Sequence, residues 1–227
     1  LSMIQNIVAN SGFESGSLTP WSSNQASVTT NEAHTGNYAA LLNGGVNSFI
    51  YQTVSVTPGD SYELKLSVAK IGVSTAPLIS ISVQFYNANL AFLSYGLINS
   101  IRIDSLPAVQ NDTWKTVYNV TAPAPPNAAY ARVLINSIGI AGNSSVLVDD
   151  VQLVTAQSTQ VSACAPSFPL LAQKLQTLMG QSVTIFTGFS LSAFGTVEEV
   201  TDEYVRIVDS GVSDLFPYAS LYAIEYS

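Results

Sequence analysis

Asn10-Ser-Gly-Phe-Glu14 and, far downstream, Val148-Asp-Asp-Val-Gln-Leu153 are the two stretches that decide how this chain is read. Together they look like the first and last strands of one β-sandwich, with carboxylates placed to share a cation. Between them the sequence keeps a strand period broken by frequent turn signals, as sandwiches do. The expected strands are Met3–Ala9, Ala26–Thr30, Tyr38–Leu42, Ser48–Val56, Ser61–Lys70, Leu78–Tyr86, Ser100–Asp104, Trp114–Thr121, Ala129–Asn136 and Ser145–Val154. Within Ser61–Lys70 one parity is apolar (Tyr62, Leu64, Leu66, Val68), the mark of a strand with one buried face. Pro58-Gly59-Asp60 and Pro123-Ala-Pro-Pro126 are turn punctuation. Residues 1–155 are therefore expected to form two antiparallel sheets packed face to face.

The next stretch, Thr155–Ser167, is rich in Ser, Thr, Ala and Gln and has no periodicity, so 156–167 reads as a linker. Its Cys164 is the chain's single cysteine, either incidental or a candidate for an intermolecular disulfide. Residues 168–227 open with helical spacing over Leu170–Leu178, which puts Leu171, Leu175 and Leu178 on one face before Gly180. Short strands follow at Ser182–Thr187, Ser192–Val200, Tyr204–Asp209, Leu215–Pro217 and Leu221–Tyr226. The expected class is all-β, with an antiparallel jelly-roll sandwich followed by a small Sm- or SH3-like barrel that carries one short N-terminal helix.

Composition narrows function. The net charge is −8 and the seven basic residues stand singly, which argues against nucleic acid or an anionic membrane as partner. No charge occurs from Ile71 to Ile101, yet Ser, Pro, Gln and Asn interrupt the stretch. It lacks the unbroken apolar run of about 20 residues that a membrane helix needs. Charged residues make up 10% of the chain against about 25% in ordinary soluble domains, leaving a neutral surface of hydroxyls and amides. Such a surface suits an extracellular β-protein.

Catalysis is not expected. The sole histidine, His34, sits in a turn-like His-Thr-Gly and reads as a hydrogen-bonding turn residue, with no Gly-x-Ser-x-Gly elbow to build a triad on. One histidine and one distant cysteine do not make a zinc site. Glu198-Glu199 and Asp202-Glu203 flank a hairpin turn and read as solvated charge, not as a glycosidase pair.

Several motifs carry a resemblance. Asn10-Ser-Gly-Phe-Glu14, Leu18-Thr-Pro-Trp21, His34-Thr-Gly36 with Tyr38-Ala-Ala-Leu41, and Val148-Asp-Asp-Val151 resemble calcium-containing jelly-roll carbohydrate-binding modules. Ser61–Lys70, Gln84-Phe-Tyr86, Phe92–Leu97 and Val133-Leu-Ile-Asn136 look like the NTTRR-F1 domain of Bacillales surface proteins. The C-terminal part, through Leu178–Thr184, Gly195-Thr-Val197 and Asp202–Ile207, is similar to small Sm-like domains of Bacillales spore-coat and exosporium proteins. By position, the resemblance implies a structural calcium held by Glu14 and by Asp149 or Asp150, with carbonyls from Gly12 and from the turn containing Thr35. The oxygen preference of calcium supports that set. Strict strand alternation lets only one of the two aspartates share the site easily and favours Asp149, provided the chain bends before Val151.

Two functions follow as expectations. The first is a self-associating structural subunit of a bacterial spore or cell surface, joined to copies of itself or to other surface proteins through open strand edges, among them Leu1–Ala9. The second is a carbohydrate-binding module or adhesin, with Tyr51, Tyr86, Tyr95 and Tyr118 as candidates for an aromatic platform and with Trp21 and Trp114 assigned to the core.

Overall fold

Apolar alternation organises the described residues into fifteen strands and one α-helix. In chain order they are β1 (Ser22–Asn24), β2 (Ala26–Thr29), β3 (Ala39–Leu42), β4 (Asn47–Ser55), β5 (Ser61–Lys70), β6 (Leu78–Tyr86), β7 (Phe92–Ile101), β8 (Trp114–Val120), β9 (Tyr130–Ile138), β10 (Val146–Ala156), α1 (Pro169–Thr177), β11 (Ser182–Thr187), β12 (Leu191–Val200), β13 (Tyr204–Asp209), β14 (Val212–Pro217) and β15 (Leu221–Tyr226). The structure, a computed structural model, describes residues 5–156, 168–187, 191–201 and 204–226.

Five strands in the order β1-β4-β9-β6-β7 form the first sheet. It packs against β8-β5-β10-β3-β2, which is half of a ten-stranded second sheet. Ile50, Leu64, Leu66, Ile79, Ile81, Val133, Ile135 and Val148 interdigitate between them with no exposure. Each such aliphatic side chain contributes about 1.5–3 kcal/mol on burial. Trp21 and Trp114 are buried as expected.

The rest of the second sheet, in the order β14-β13-β12-β11-β15, belongs to the C-terminal unit. Its strand β15 pairs with β11 on one side and with β8 of the sandwich on the other, Ala223 lying opposite Val117. The expected boundary between two units is thus bridged by a continuous hydrogen-bonded sheet. The core is shared as well: Leu170, Leu171 and Leu175 of α1 pack with Tyr118 of β8 and Val154 of β10. Residues 157–167, and with them the Cys164 disulfide candidate, lie outside the described residues. No helix among the described residues is long and apolar enough to cross a membrane.

Three sequence expectations are corrected. Asn10–Glu14 is a turn, with positive φ at Asn10 (48°) and Phe13 (60°), where a strand was expected. Residues 5–9 are not a strand either; the rest of that predicted strand lies outside the described residues. The Ile7 N–H still donates to the Leu153 carbonyl, and the Asn6 side chain stands in for the ladder by accepting the Leu153 N–H and donating to the Val151 carbonyl. Finally, the strand expected at Ser100–Asp104 is β7, most of which precedes that stretch.

The two deciding stretches do meet, the Val151 N–H donating to the Ser11 carbonyl at 2.9 Å. Beside that contact β10 carries a bulge: Asp149 faces Ser67, the next pair is Gln152 with Lys65, and Asp150 takes φ 50°. The extra residue resets the alternation. Val146 and Val148 before it and Val151 and Leu153 after it all enter the core.

Candidate functional site

Strand parity gives the first sheet an outer face. In β4 Phe49, Tyr51 and Thr53 point away from the core that holds Ile50 and Val54; in β9 the outward set is Tyr130, Arg132, Leu134 and Asn136. Register aligns these into rows across four strands, one of them Thr53–Arg132–Gln84–Tyr95. The next row is Ser55–Tyr130–Tyr86–Phe92.

Arg132 organises this face. Its guanidinium lies 4.7 Å from the Tyr51 ring centroid and 4.6 Å from that of Tyr86, so two aromatic planes hold it by cation–π attraction. It donates to the Tyr86 hydroxyl at 3.3 Å; that hydroxyl donates to Gln84 Oε1 at 2.6 Å, and Gln84 Nε2 donates to Ser82 Oγ at 3.0 Å. Phe92 stands edge-on to both Tyr86 and Tyr95. Beside this fixed polar chain Phe92 is 49% exposed, Tyr95 52% and Ile98 65%. Exposed aromatic faces next to rigid donors and acceptors are the makings of a ligand platform.

Three of the four tyrosines proposed from the sequence, Tyr51, Tyr86 and Tyr95, therefore share one surface. Tyr118 does not: it is 1% exposed in the core beneath α1, because β8 is covered on both faces. Arg132, Gln84 and Phe92 were not singled out. For Arg132 and Gln84 the signal was positional, since each occupies the outward parity of a strand whose other parity is apolar; Phe92 lies in β7, where register shifts break the parity.

The carboxylates gather at one edge of the sandwich. Asp149 is fully buried; its Oδ2 accepts the N–H groups of His34 (2.8 Å) and Thr35 (3.1 Å). Asp150 Oδ1 accepts the Thr35 hydroxyl at 2.6 Å, and its Oδ2 lies 2.6 Å from His34 Nδ1. Glu14 accepts the N–H groups of Asn37 and Tyr38, which fixes the same turn from its other end. Burial, reinforced by the charge of Asp150, pushes the Asp149 carboxyl up to about 7. Alternation had been expected to separate the two aspartates, but the bulge turns both toward the turn at residues 34–35.

Gly36 makes room for this arrangement, and Gly12 lies beside it. A Cβ on Gly36 would stand 2.5 Å from the Glu14 carboxyl carbon, and its φ of +69° disfavours any other residue. A Cβ on Gly12 would lie 3.5 Å from Asp149 Oδ1, 3.8 Å from Glu14 Cγ and 3.9 Å from Asp150 Oδ1. Three acidic side chains thus come together around Gly12, and their oxygens are of the donor type that a hard cation such as calcium prefers. As placed, the carboxylates close onto N–H and O–H donors. Among the described residues no group of three or more His, Cys, Asp and Glu side chains is tight enough to hold a metal.

His34 has more partners than a turn residue requires. Its Nδ1 meets Asp150, its Nε2 lies 3.2 Å from the Tyr226 hydroxyl, and its ring packs against Trp114. Burial pushes the Tyr226 phenol up to about 12, so it stays protonated and ties the end of β15 to the sandwich.

The profile of a family described as carbohydrate binding domain matches residues 5–126. No curated protein sequence matches the chain. Among solved structures the sandwich resembles the CBM22-1 xylan-binding domain from Paenibacillus barcinonensis Xyn10C, at 15% identity and TM-score 0.51, over 70% of this chain and 99% of that one. A cyclase from Fischerella sp. TAU, solved with an indolyl butanone, matches at 17% identity and TM-score 0.53, over 70% of this chain and all of the other (100%). The enzymatically active domain of tailspike protein 4 from bacteriophage CBA120 matches at 14% identity and TM-score 0.54; the match covers 66% of this chain and 21% of that domain. At such identities the likeness concerns the fold.

Proposed function

This chain belongs to the carbohydrate binding domain family, and we propose that it binds a saccharide chain on the outer face of its first sheet. The observation that carries the proposal is Arg132 clamped between Tyr51 and Tyr86, with Tyr95 and Phe92 exposed beside it. A pyranose ring presents an apolar C–H face and a rim of hydroxyls. The C–H face packs on the aromatic rings, while Arg132 and Gln84 serve the hydroxyls as a fixed donor and acceptor. Their positions are set before the ligand arrives, so little freedom is lost on binding. The sparse charge of the surface accords with an extracellular setting and a neutral ligand. This takes up the second function expected from the sequence, carbohydrate recognition, in preference to the first, the self-associating surface subunit.

The test is affinity electrophoresis and titration calorimetry against a panel of xylans, β-glucans, galactans and mannans. At least one should retard the wild type, and Tyr95→Ala and Arg132→Met should each abolish that retardation with unchanged circular dichroism. Retardation by none of the panel, or equal retardation of both variants, would overturn the assignment.

Calcium is a separate part of the proposal. Glu14, Asp149 and Asp150 would hold it beside Gly12, and the bound ion would neutralise the mutual repulsion of the aspartates and lock the turn at residues 34–38. It would take no part in sugar recognition, because the platform lies on the other sheet.

A further inference from the structure

We propose that the hollow between α1 and the strands β5, β8 and β10 is a binding site for a small oxyanion, a carboxylate or a sulfate or phosphate group. It is independent of the saccharide platform. The hollow measures about 300 Å³ and is lined by Lys65, Lys174, Tyr118, Gln152, Gln173 and Thr177.

Three observations converge on it. The first is charge. Of the chain's seven basic residues, two meet here. Elsewhere Lys70, Lys115 and Arg206 lie 3.0, 3.2 and 2.9 Å from a carboxylate oxygen. Lys65 has Asp150 only at 3.9 Å, and Lys174, whose ammonium lies 3.9 Å from the centroid of the Tyr226 ring, has no carboxylate partner among the described residues. The acids nearby are already engaged, Asp150 by His34 and Thr35, and Glu63 by the N–H groups of Leu170 and Leu171. An excess of positive charge is thus held in a protein of net charge −8.

The second is an orphan donor. The Tyr118 hydroxyl is fully buried and has no hydrogen-bond partner among the described residues. Burial raises that phenol well above its ordinary value, so it remains a donor. A buried polar hydrogen without a partner costs about 1–3 kcal/mol, a cost that an acceptor brought by a ligand removes.

The third is the kind of groups present. Two ammoniums, a phenol and two side-chain amides supply the donors, the Thr177 hydroxyl giving its proton to the Lys174 carbonyl at 2.7 Å, and the acceptors are all neutral. That balance suits an anion and disfavours a cation.

The experiment is calorimetric titration of the full chain with sodium sulfate, sodium phosphate and sodium glucuronate, with sodium chloride at matched ionic strength as reference. Saturable binding of at least one oxyanion and none of chloride is expected; inorganic anions binding and glucuronate failing identifies a free anion, the reverse an acidic saccharide. Lys174→Met should abolish binding. Tyr118→Phe, which removes only the orphan hydroxyl and should fold at least as well, should weaken it about tenfold, the scale of one charge-assisted hydrogen bond. Both variants should keep the saccharide retardation of the wild type. Lack of saturation with all three oxyanions, or a Tyr118→Phe affinity equal to the wild type's, would overturn the proposal whatever the fate of the sugar platform.

Discussion

The two outer faces of the sandwich are built alike and used differently. On the first sheet the outward parity of β4, β6, β7 and β9 leaves aromatic rings open around Arg132. On the second sheet the outward parity of β5, β8 and β10 places Glu63, Tyr118 and Val154 under α1, all essentially without exposure. Both faces mix polar and aromatic side chains. Whether those groups form a binding surface or a core therefore depends on what covers the face, which strand period does not encode.

Several experiments sharpen or break that contrast. The largest effect belongs to the covered face. Leu171→Ala at a fully buried position should cost about 2–5 kcal/mol, read as a fall in the denaturation midpoint. Truncating Phe92, 49% exposed on the open face, should cost well under about 1 kcal/mol. Equal costs would mean that the open face is covered too.

Glu63 comes next. Burial raises its carboxyl to about 7, against the two N–H groups of α1 that favour the charge. A raised folded-state value means that the folded chain keeps a proton the unfolded chain has released. Stability from this group is thus full below about pH 4.5 and is lost as pH rises through 7, a span worth on the order of 3 kcal/mol. Asp149 acts in the same direction, so Glu63→Gln should flatten the slope without removing it. Chemical denaturation at pH 5 and pH 8 measures this, and an unchanged slope would count against a buried Glu63.

Calcium should act in the opposite sense near neutral pH, by favouring the charged form of Asp149. At a hundredfold excess over its dissociation constant it should raise stability by about 2.7 kcal/mol, reversed by chelation. Glu14→Gln should diminish that gain. An identical melting temperature in calcium and chelator would leave the three acids as hydrogen-bond anchors alone. The smallest effect is on the platform: Arg132→Lys keeps the charge but loses the planar fork held between two rings. It should weaken saccharide binding about tenfold with little change in melting.

Much of the fold was legible wherever apolar residues recur at every second position of a strand. β5, β6, β11, β13 and β15 were read to the residue from alternation. β7 was misplaced because its partner β6 meets it across register shifts at Val83/Gln84 and Phe85/Tyr86, which blur the period. The meeting of Asn10–Glu14 with the Asp149–Asp150 pair was legible, but the turn that carries it was not. Asn10 is of a type that tolerates positive φ, but Phe13 is not, and nothing in the sequence marks its turn conformation. Tyr118 was assigned to the platform because a tyrosine in a strand with both faces buried looks like one in a strand with a single buried face. Arg132 escaped notice because a lone arginine acquires meaning only from rings on neighbouring strands, β4 and β6, which sequence separation hides.

The pairing of β15 with β8 carries a consequence for how the molecule is assembled. β15 is synthesised after every other described strand, yet it lies between β11 and β8, in the interior of the ten-stranded sheet. Until it emerges, β8 has a bare edge and the nascent sandwich presents an open ladder to its surroundings. Completion of the C-terminal segment is thus the event that seals the sheet, so a chain stopped short of Leu221 would be left with an exposed, adhesive border along Trp114–Val120.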